Sequence, residues 1–166
     1  MKKYIFILSM VVLGLSSCIK NDSPPPFDPV AQAKIDDAAI QTYLNAHTDI
    51  IARKDSSGLY YQVLTEGTGA AITNASTVKV SYVGTTLNGT QFDANENYTT
   101  ALAASTNIIT GWKIGVPKVK TGGKILLILP SGLAYGPNGN GPIPPNSVII
   151  FTITVKDSST PGNPPI

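Results

Sequence analysis

Reactive side chains are scarce in this chain, which has one cysteine, Cys18, and one histidine, His47, in 166 residues. A lone cysteine excludes an intrachain disulfide. One His and one Cys also fall short of the ligand sets that hold most zinc ions, so no metal is expected. A Ser-His-Asp arrangement would have to use His47, far upstream in a polar, helix-like stretch, and triad hydrolysis is set aside. Charge is sparse as well, with twelve Lys and Arg against ten Asp and Glu. The excess sits in Lys2 and Lys3, inside a segment expected to be removed, which leaves the mature chain near neutral. Nucleic-acid binding wants a dense basic footprint. The small cluster Lys118, Lys120 and Lys124 reads instead as a solvated turn and strand start, so no nucleic-acid partner is expected. The apolar run Tyr4 to Leu15 is too short for a comfortable permanent membrane span.

That run follows Lys2-Lys3 and is followed at once by Leu15-Ser16-Ser17-Cys18, the layout of a targeting signal. It resembles a bacterial lipoprotein signal. The resemblance implies that Cys18 is lipidated and becomes the mature N-terminus. The other reading is an ordinary secretory signal with an incidental thiol, but an unpaired exported cysteine is a liability. Such signals add more than one acyl chain, and more than one is needed for stable anchoring. Ile19 rather than Asp follows the cysteine. By resemblance to enterobacterial sorting, this directs the chain to the outer membrane. The expected location is the cell envelope, lipid-anchored, on a periplasmic or surface face.

Five segments are expected: 1–17 signal, 18–29 Pro-rich tether, 30–57 helix and connection, 58–157 folded domain, 158–166 flexible tail. Ser23-Pro24-Pro25-Pro26 and Asp28-Pro29 read as extended chain. Val30 to Ala46 reads as a helix with Ile35, Ala39, Tyr43 and Leu44 on one face, and Asp36 and Asp37 early, where the helix dipole favours anions. It is too short to serve as a long dimerising stalk, so a monomer is expected. Strands are expected at Leu59–Leu64, Thr77–Val83, Thr90–Asp93, Lys124–Leu129 and Val148–Lys156. Asn88-Gly89 signals a hairpin turn with positive φ at both residues. Thr110 is expected to cap a helix over Gly111–Val116 that Pro117 stops, and Asp157 onward to be a loose tail. Many strands and a short helix define an α+β domain with a largely antiparallel sheet.

The ordered set Tyr82-Val83-Gly84, Asn88-Gly89-Thr90, Phe92-Asp93, Ile109-Thr110-Gly111-Trp112, Gly122-Gly123-Lys124, Leu133-Ala134-Tyr135-Gly136, Ile143-Pro144-Pro145-Asn146 and Phe151 resembles the FKBP-type peptidyl-prolyl isomerases over about Gly58 to Asp157. The resemblance implies a twisted antiparallel sheet wrapped on a short central helix, with the N-terminal helix as an addition. It implies a pocket floored by Trp112. Tyr82, Phe92, Ile108, Ile109 and Phe151 would form its walls, Asp93 its polar edge and Ile143 its rim. The Ile109 N–H and the Tyr135 hydroxyl would bond substrate carbonyls. Substrates would be proline-containing exported polypeptides, macrolides would be candidate inhibitors, and no cofactor is called for. Taken singly, Phe151 or Tyr82 reads as core, and Asp93 could equally bond a turn amide.

One departure stands out. Family members usually carry Phe-x-Phe-x-Leu-Gly before the Ile-Ile-x-Gly-Trp segment, whereas this chain has Thr99-Thr100-Ala101-Leu102-Ala103-Ala104 there. One aromatic wall is therefore absent or supplied by Tyr98. The Tyr135–Pro144 loop is one residue shorter than in the best-known members, with Asn140 near a position often held by His. The altered wall motivates an alternative, a non-catalytic client-binding or chaperone module on the same fold.

Overall fold

The computed structural model of the chain describes residues 26–160, so the signal, Cys18 and most of the tether lie outside the described residues. The chain runs α1 (Pro29–Ala46), β1 (Arg53–Lys54), β2 (Tyr60–Thr65), β3 (Thr77–Thr86), β4 (Gln91–Ala101), α2 (Thr110–Gly115), β5 (Lys124–Leu129) and β6 (Ile149–Ser159). The six strands form one sheet, ordered β1-β2-β5-β6-β3-β4. All five neighbouring pairs are antiparallel. Two helices and this sheet make the expected α+β class. Among the described residues no helix is long and apolar enough to cross a membrane.

Side chains alternate across a strand, so a strand buried on both faces must be apolar throughout. That is the case for Ile125–Leu129 of β5 and for Ile149–Phe151 at the start of β6. Ile149, Phe151, Ile153 and Val155 join the main core with Leu127, Leu129, Trp112 and Val116. Ile128 and Ile150 face the other way and meet Tyr60, Val148 and Ile40 of α1. The two helices thus cover opposite faces of the same central strands.

Several local expectations need correction. Asp28-Pro29 is not extended tether: the Asp28 carboxylate accepts from the Val30 and Ala31 N–H groups, and Pro29 takes the first helical position, where no N–H is needed. The inward face of α1 holds Asp36 and Ile40, while Ile35 is 62% exposed. Neither Asp36 nor Asp37 is in the first turn, so the dipole does not account for them. At Leu87-Asn88-Gly89 only Gly89 has positive φ, at 84°. The Gly89 N–H donates to Thr86 O at 2.9 Å, and Thr86 and Thr90 close the hairpin. This is a type I turn followed by a left-handed glycine, in which only the last residue needs that freedom.

β4 reaches Ala101 rather than ending at Asp93, because β3 offers ladder partners as far back as Thr77. Thr110 is the first helical residue of α2 and caps nothing; Ile109 holds the cap position. Pro117 does not stop the chain turning but sits in a 3-10 turn, Val116–Lys118, that prolongs α2. β6 continues through Asp157 to Ser159, paired with β3 as far as Thr77.

Candidate active site

The site begins with two glycines. Gly111 and Gly115 stand one helical turn apart on α2. A Cβ at Gly111 would come within 2.5 Å of Leu129 Cδ2, and one at Gly115 within 2.5 Å of Leu127 Cδ1. Without those atoms α2 lies flush on β5. Trp112, next to Gly111, is thereby pressed into the core and is 3% exposed.

Aromatic edges gather around that indole. Tyr82, Phe151 and Tyr98 meet it at ring-centroid distances of 5.0, 5.3 and 6.1 Å, each close to perpendicular. Such edge-to-face pairs add about 0.5–1.5 kcal/mol each beyond burial. Tyr82 and Phe151 come from paired strands, with Tyr82 opposite Ile153 and Gly84 opposite Phe151. Gly84 is also required: a Cβ there would stand 2.7 Å from both Phe151 and Phe92 ring atoms. The indole N–H is buried with no acceptor among the described residues.

Above these rings opens a cavity of about 760 Å³. Of the nine sequence-predicted pocket residues, it is lined by Tyr82, Asp93, Ile108, Ile109, Trp112, Tyr135 and Phe151. Phe92 and Ile143 are not brought to its surface. Phe92 stands behind Phe151, edge-on at 5.5 Å. Ile143 is 4% exposed and belongs to the core. Its backbone serves instead, exchanging two 2.9 Å hydrogen bonds with Asn140 to close the loop whose Gly139 and Asn140 line the cavity. Tyr98, Asn107, Thr110 and Ala134 complete the lining.

Tyr98 resolves the departure in the aromatic wall. It pairs with Val80 on β3, near Tyr82, and its ring meets both Tyr82 and Trp112. The bulge between Val80 and Tyr82 brings it there. Strand alternation from Asp93 could not find it, because the bulge breaks the period. After Ala101 the chain leaves the sheet and buries Leu102 completely. Thr106 Oγ1 then donates to Ala103 O at 2.6 Å or Ala101 O at 2.9 Å, and Lys113 Nζ donates to Thr106 O at 2.8 Å and Ala104 O at 3.1 Å. These bonds tie the loop to α2 and present Asn107, Ile108 and Ile109 to the cavity.

Polar chemistry sits at the edge. The Tyr82 hydroxyl donates to Asp93 Oδ2 at 2.7 Å. Burial first, and then the Asp93 carboxylate, push the Tyr82 phenol well above its ordinary value. The phenol therefore stays protonated and serves as a fixed donor. The Tyr135 hydroxyl and the Ile109 N–H have no hydrogen-bond partner among the described residues, so both are available as donors. A pocket of this make-up holds a ring and offers donors at its rim. It presents no thiol, imidazole or amine for covalent or proton-transfer chemistry.

The fold, a short helix set on an antiparallel sheet, is shared with solved proteins. The structure of FkpA from Escherichia coli superposes with a TM-score of 0.66 at 33% identity, over 79% of this chain and 64% of that one. A peptidyl-prolyl cis-trans isomerase from Pseudomonas syringae pv. tomato gives 0.65 at 27% identity, over 81% of this chain and 98% of that one. In sequence, FkpA of Escherichia coli K12, described as an FKBP-type peptidyl-prolyl cis-trans isomerase, is 41% identical over 108 residues, 63% of this chain. Residues 69–156 match the FKBP-type peptidyl-prolyl cis-trans isomerase family, and the chain belongs to it. The matched region spans 39% of that relative's length.

Proposed function

We propose that this protein accelerates cis-trans rotation of Xaa-Pro bonds in exported polypeptides. The single observation that carries the proposal is the cavity, with Trp112 beneath it, three aromatic edges around it and one Tyr82–Asp93 hydrogen bond at its rim. Rotation about a peptide bond is slow because the amide must lose its resonance, at a barrier of about 18–20 kcal/mol. For proline the two planar forms differ by only about 0.5–1 kcal/mol, so a catalyst is needed for speed and not for direction. It must bind the twisted amide better than either planar one. The twisted amide is less polar at oxygen and more pyramidal at nitrogen. A hollow walled by Trp112, Phe151, Tyr98 and Ile108 disfavours the planar dipole. Donors at Tyr135 and Ile109 hold the flanking carbonyls while the prolyl ring sits on Trp112. Each tenfold gain requires about 1.4 kcal/mol of this differential binding, so a few contacts suffice and no cofactor enters.

NMR exchange on an Xaa-Pro peptide tests the proposal: catalytic amounts of protein should broaden the cis and trans signals, and no gain in exchange would overturn it. The non-catalytic client-binding reading drew its motive from the missing aromatic wall, and Tyr98 in that wall removes the motive.

The location forms part of the same proposal. The Lys2-Lys3 start, the apolar run and Leu15-Ser16-Ser17-Cys18 support export and lipidation at Cys18, which would hold a monomeric domain at the envelope membrane beside its clients. Cys18→Ser should move the protein from the membrane fraction to the soluble envelope fraction, and unchanged partition would refute the anchor. Macrolide inhibitors are proposed to enter the same hollow.

A further inference from the structure

Asp36 is the one described carboxylate in the protein interior, 2% exposed, and no cation pairs with it among the described residues. A buried carboxylate is costly unless hydrogen bonds satisfy it. Here three donors do so. Ser131 gives its backbone N–H at 2.8 Å and its hydroxyl at 2.6 Å to Oδ2, and Gln32 Nε2 bonds Oδ1 at 2.8 Å. Ser131 opens the 3-10 turn Ser131–Leu133, whose own cap residue, Pro130, supplies no side-chain bond. Asp36 therefore caps that turn from another element, with a carboxylate on its first N–H.

The turn leads straight into the site. Leu133 N–H donates to Pro130 O at 2.9 Å and Ala134 N–H to Ser131 O at 3.0 Å. The next residue is Tyr135, and both Ala134 and Tyr135 line the cavity. No residue of α1 itself lines the cavity. We propose that Asp36 is a positioning residue: it fixes the Ser131–Tyr135 segment from behind the sheet and so aims the Tyr135 hydroxyl at the bound amide. α1 is then a brace for the active site, beyond its role in covering the Ile128–Ile150 face. The catalytic half of this inference rests on the isomerase reading; the structural half does not.

The test uses the full chain with Asp36→Ala, Asp36→Asn and Ser131→Ala, each also combined with Tyr135→Phe. If Asp36 acts by aiming one hydroxyl bond, Asp36→Ala lowers kcat/KM about tenfold while the Tyr135 hydroxyl is present and less than about twofold in the Tyr135→Phe background. Asp36→Asn retains most activity, since its amide oxygen can still accept from Ser131 while Gln32 turns its own amide over. Amide exchange is measured on the same proteins. It should quicken at Ser131, Leu133 and Ala134 and stay slow in β5 and β6. Ser131→Ala, which removes only the hydroxyl bond, gives an intermediate effect on both readouts and guards against unfolding of the alanine variant at Asp36. Equal losses in the two Tyr135 backgrounds, or unchanged exchange at Leu133 and Ala134, would overturn the proposal. A wild-type chain without isomerase activity would remove the isomerase reading, and the exchange data would still decide whether Asp36 holds the segment.

Discussion

The Tyr82 hydroxyl donates to the Asp93 carboxylate at 2.7 Å across two neighbouring strands that are offset by bulges. Tyr82 lies opposite Asn95 and Asp93 opposite Gly84, so the bond runs diagonally over the ladder. It joins the aromatic wall to the exposed rim and is the one side-chain to side-chain hydrogen bond within the lining among the described residues.

Breaking that bridge from either end should have the same consequence. Tyr82→Phe and Asp93→Ala are each expected to cost about 1 kcal/mol in transition-state binding, and the double variant little more than either, because both remove one bond. A double-mutant cycle on kcat/KM checks this, and additive losses would show that the two groups act separately.

Tyr135→Phe separates activity from stability. The hydroxyl has no partner among the described residues, so its removal should leave the melting temperature within a degree or two. Activity should fall about tenfold, the worth of one hydrogen bond made in the twisted state. Parallel thermal unfolding and isomerase measurements settle the matter.

Tyr98→Ala opens the wall that stands in for the usual aromatic strand. Loss of its edge contacts with Tyr82 and Trp112 should raise KM more than it lowers kcat, because those contacts shape the hollow and do not meet the amide. Tyr98→Phe should behave as wild type.

Gly115→Ala should be destabilising even though alanine favours a helix. The new methyl meets Leu127 at 2.5 Å, and overpacking of this kind costs about 1–3 kcal/mol. Leu127→Ala in the same chain should relieve part of the clash, a pattern that urea unfolding can resolve.

Alkaline pH should unfold the protein partly through Tyr82. Its phenol ionises near 10.0 in the unfolded chain and higher in the folded one. Above the unfolded value the unfolded chain therefore holds fewer protons than the folded one, and stability falls as pH rises until the folded phenol ionises too. Tyr82→Phe should make that decline shallower by at most about one proton per molecule. An unchanged slope in unfolding free energy against pH would contradict it.

Much of this was legible in the linear chain. The run Lys124–Leu129 reads as a strand with the ends the structure shows. The split of β6 into a Phe151 face and an Ile150 face also follows from alternation, because a period of two assigns faces without knowing the partners. Of the nine pocket residues that the family resemblance implies, seven line the cavity. Ile143 could not be separated from them, since a loop residue's direction depends on the bond pairs that close the loop, here those with Asn140. Tyr98 was one of two readings of the aromatic wall, and the choice between them needed the bulges in the β3–β4 pairing, which no local pattern announces.

The N-terminal helix marks the boundary most sharply. Apolar spacing located it within a residue at either end, yet picked Ile35 for the inward face, where Asp36 and Ile40 lie. Helical periodicity ranks positions by greasiness, and a carboxylate never wins that ranking. What turned Asp36 inward was Ser131, 95 residues away, whose two donors make burial of the carboxylate tolerable. Short-range spacing thus locates the elements, and the ordered motifs carry the family resemblance. Long-range hydrogen bonds, which exist only once distant segments meet, chose the faces and tied them to the site.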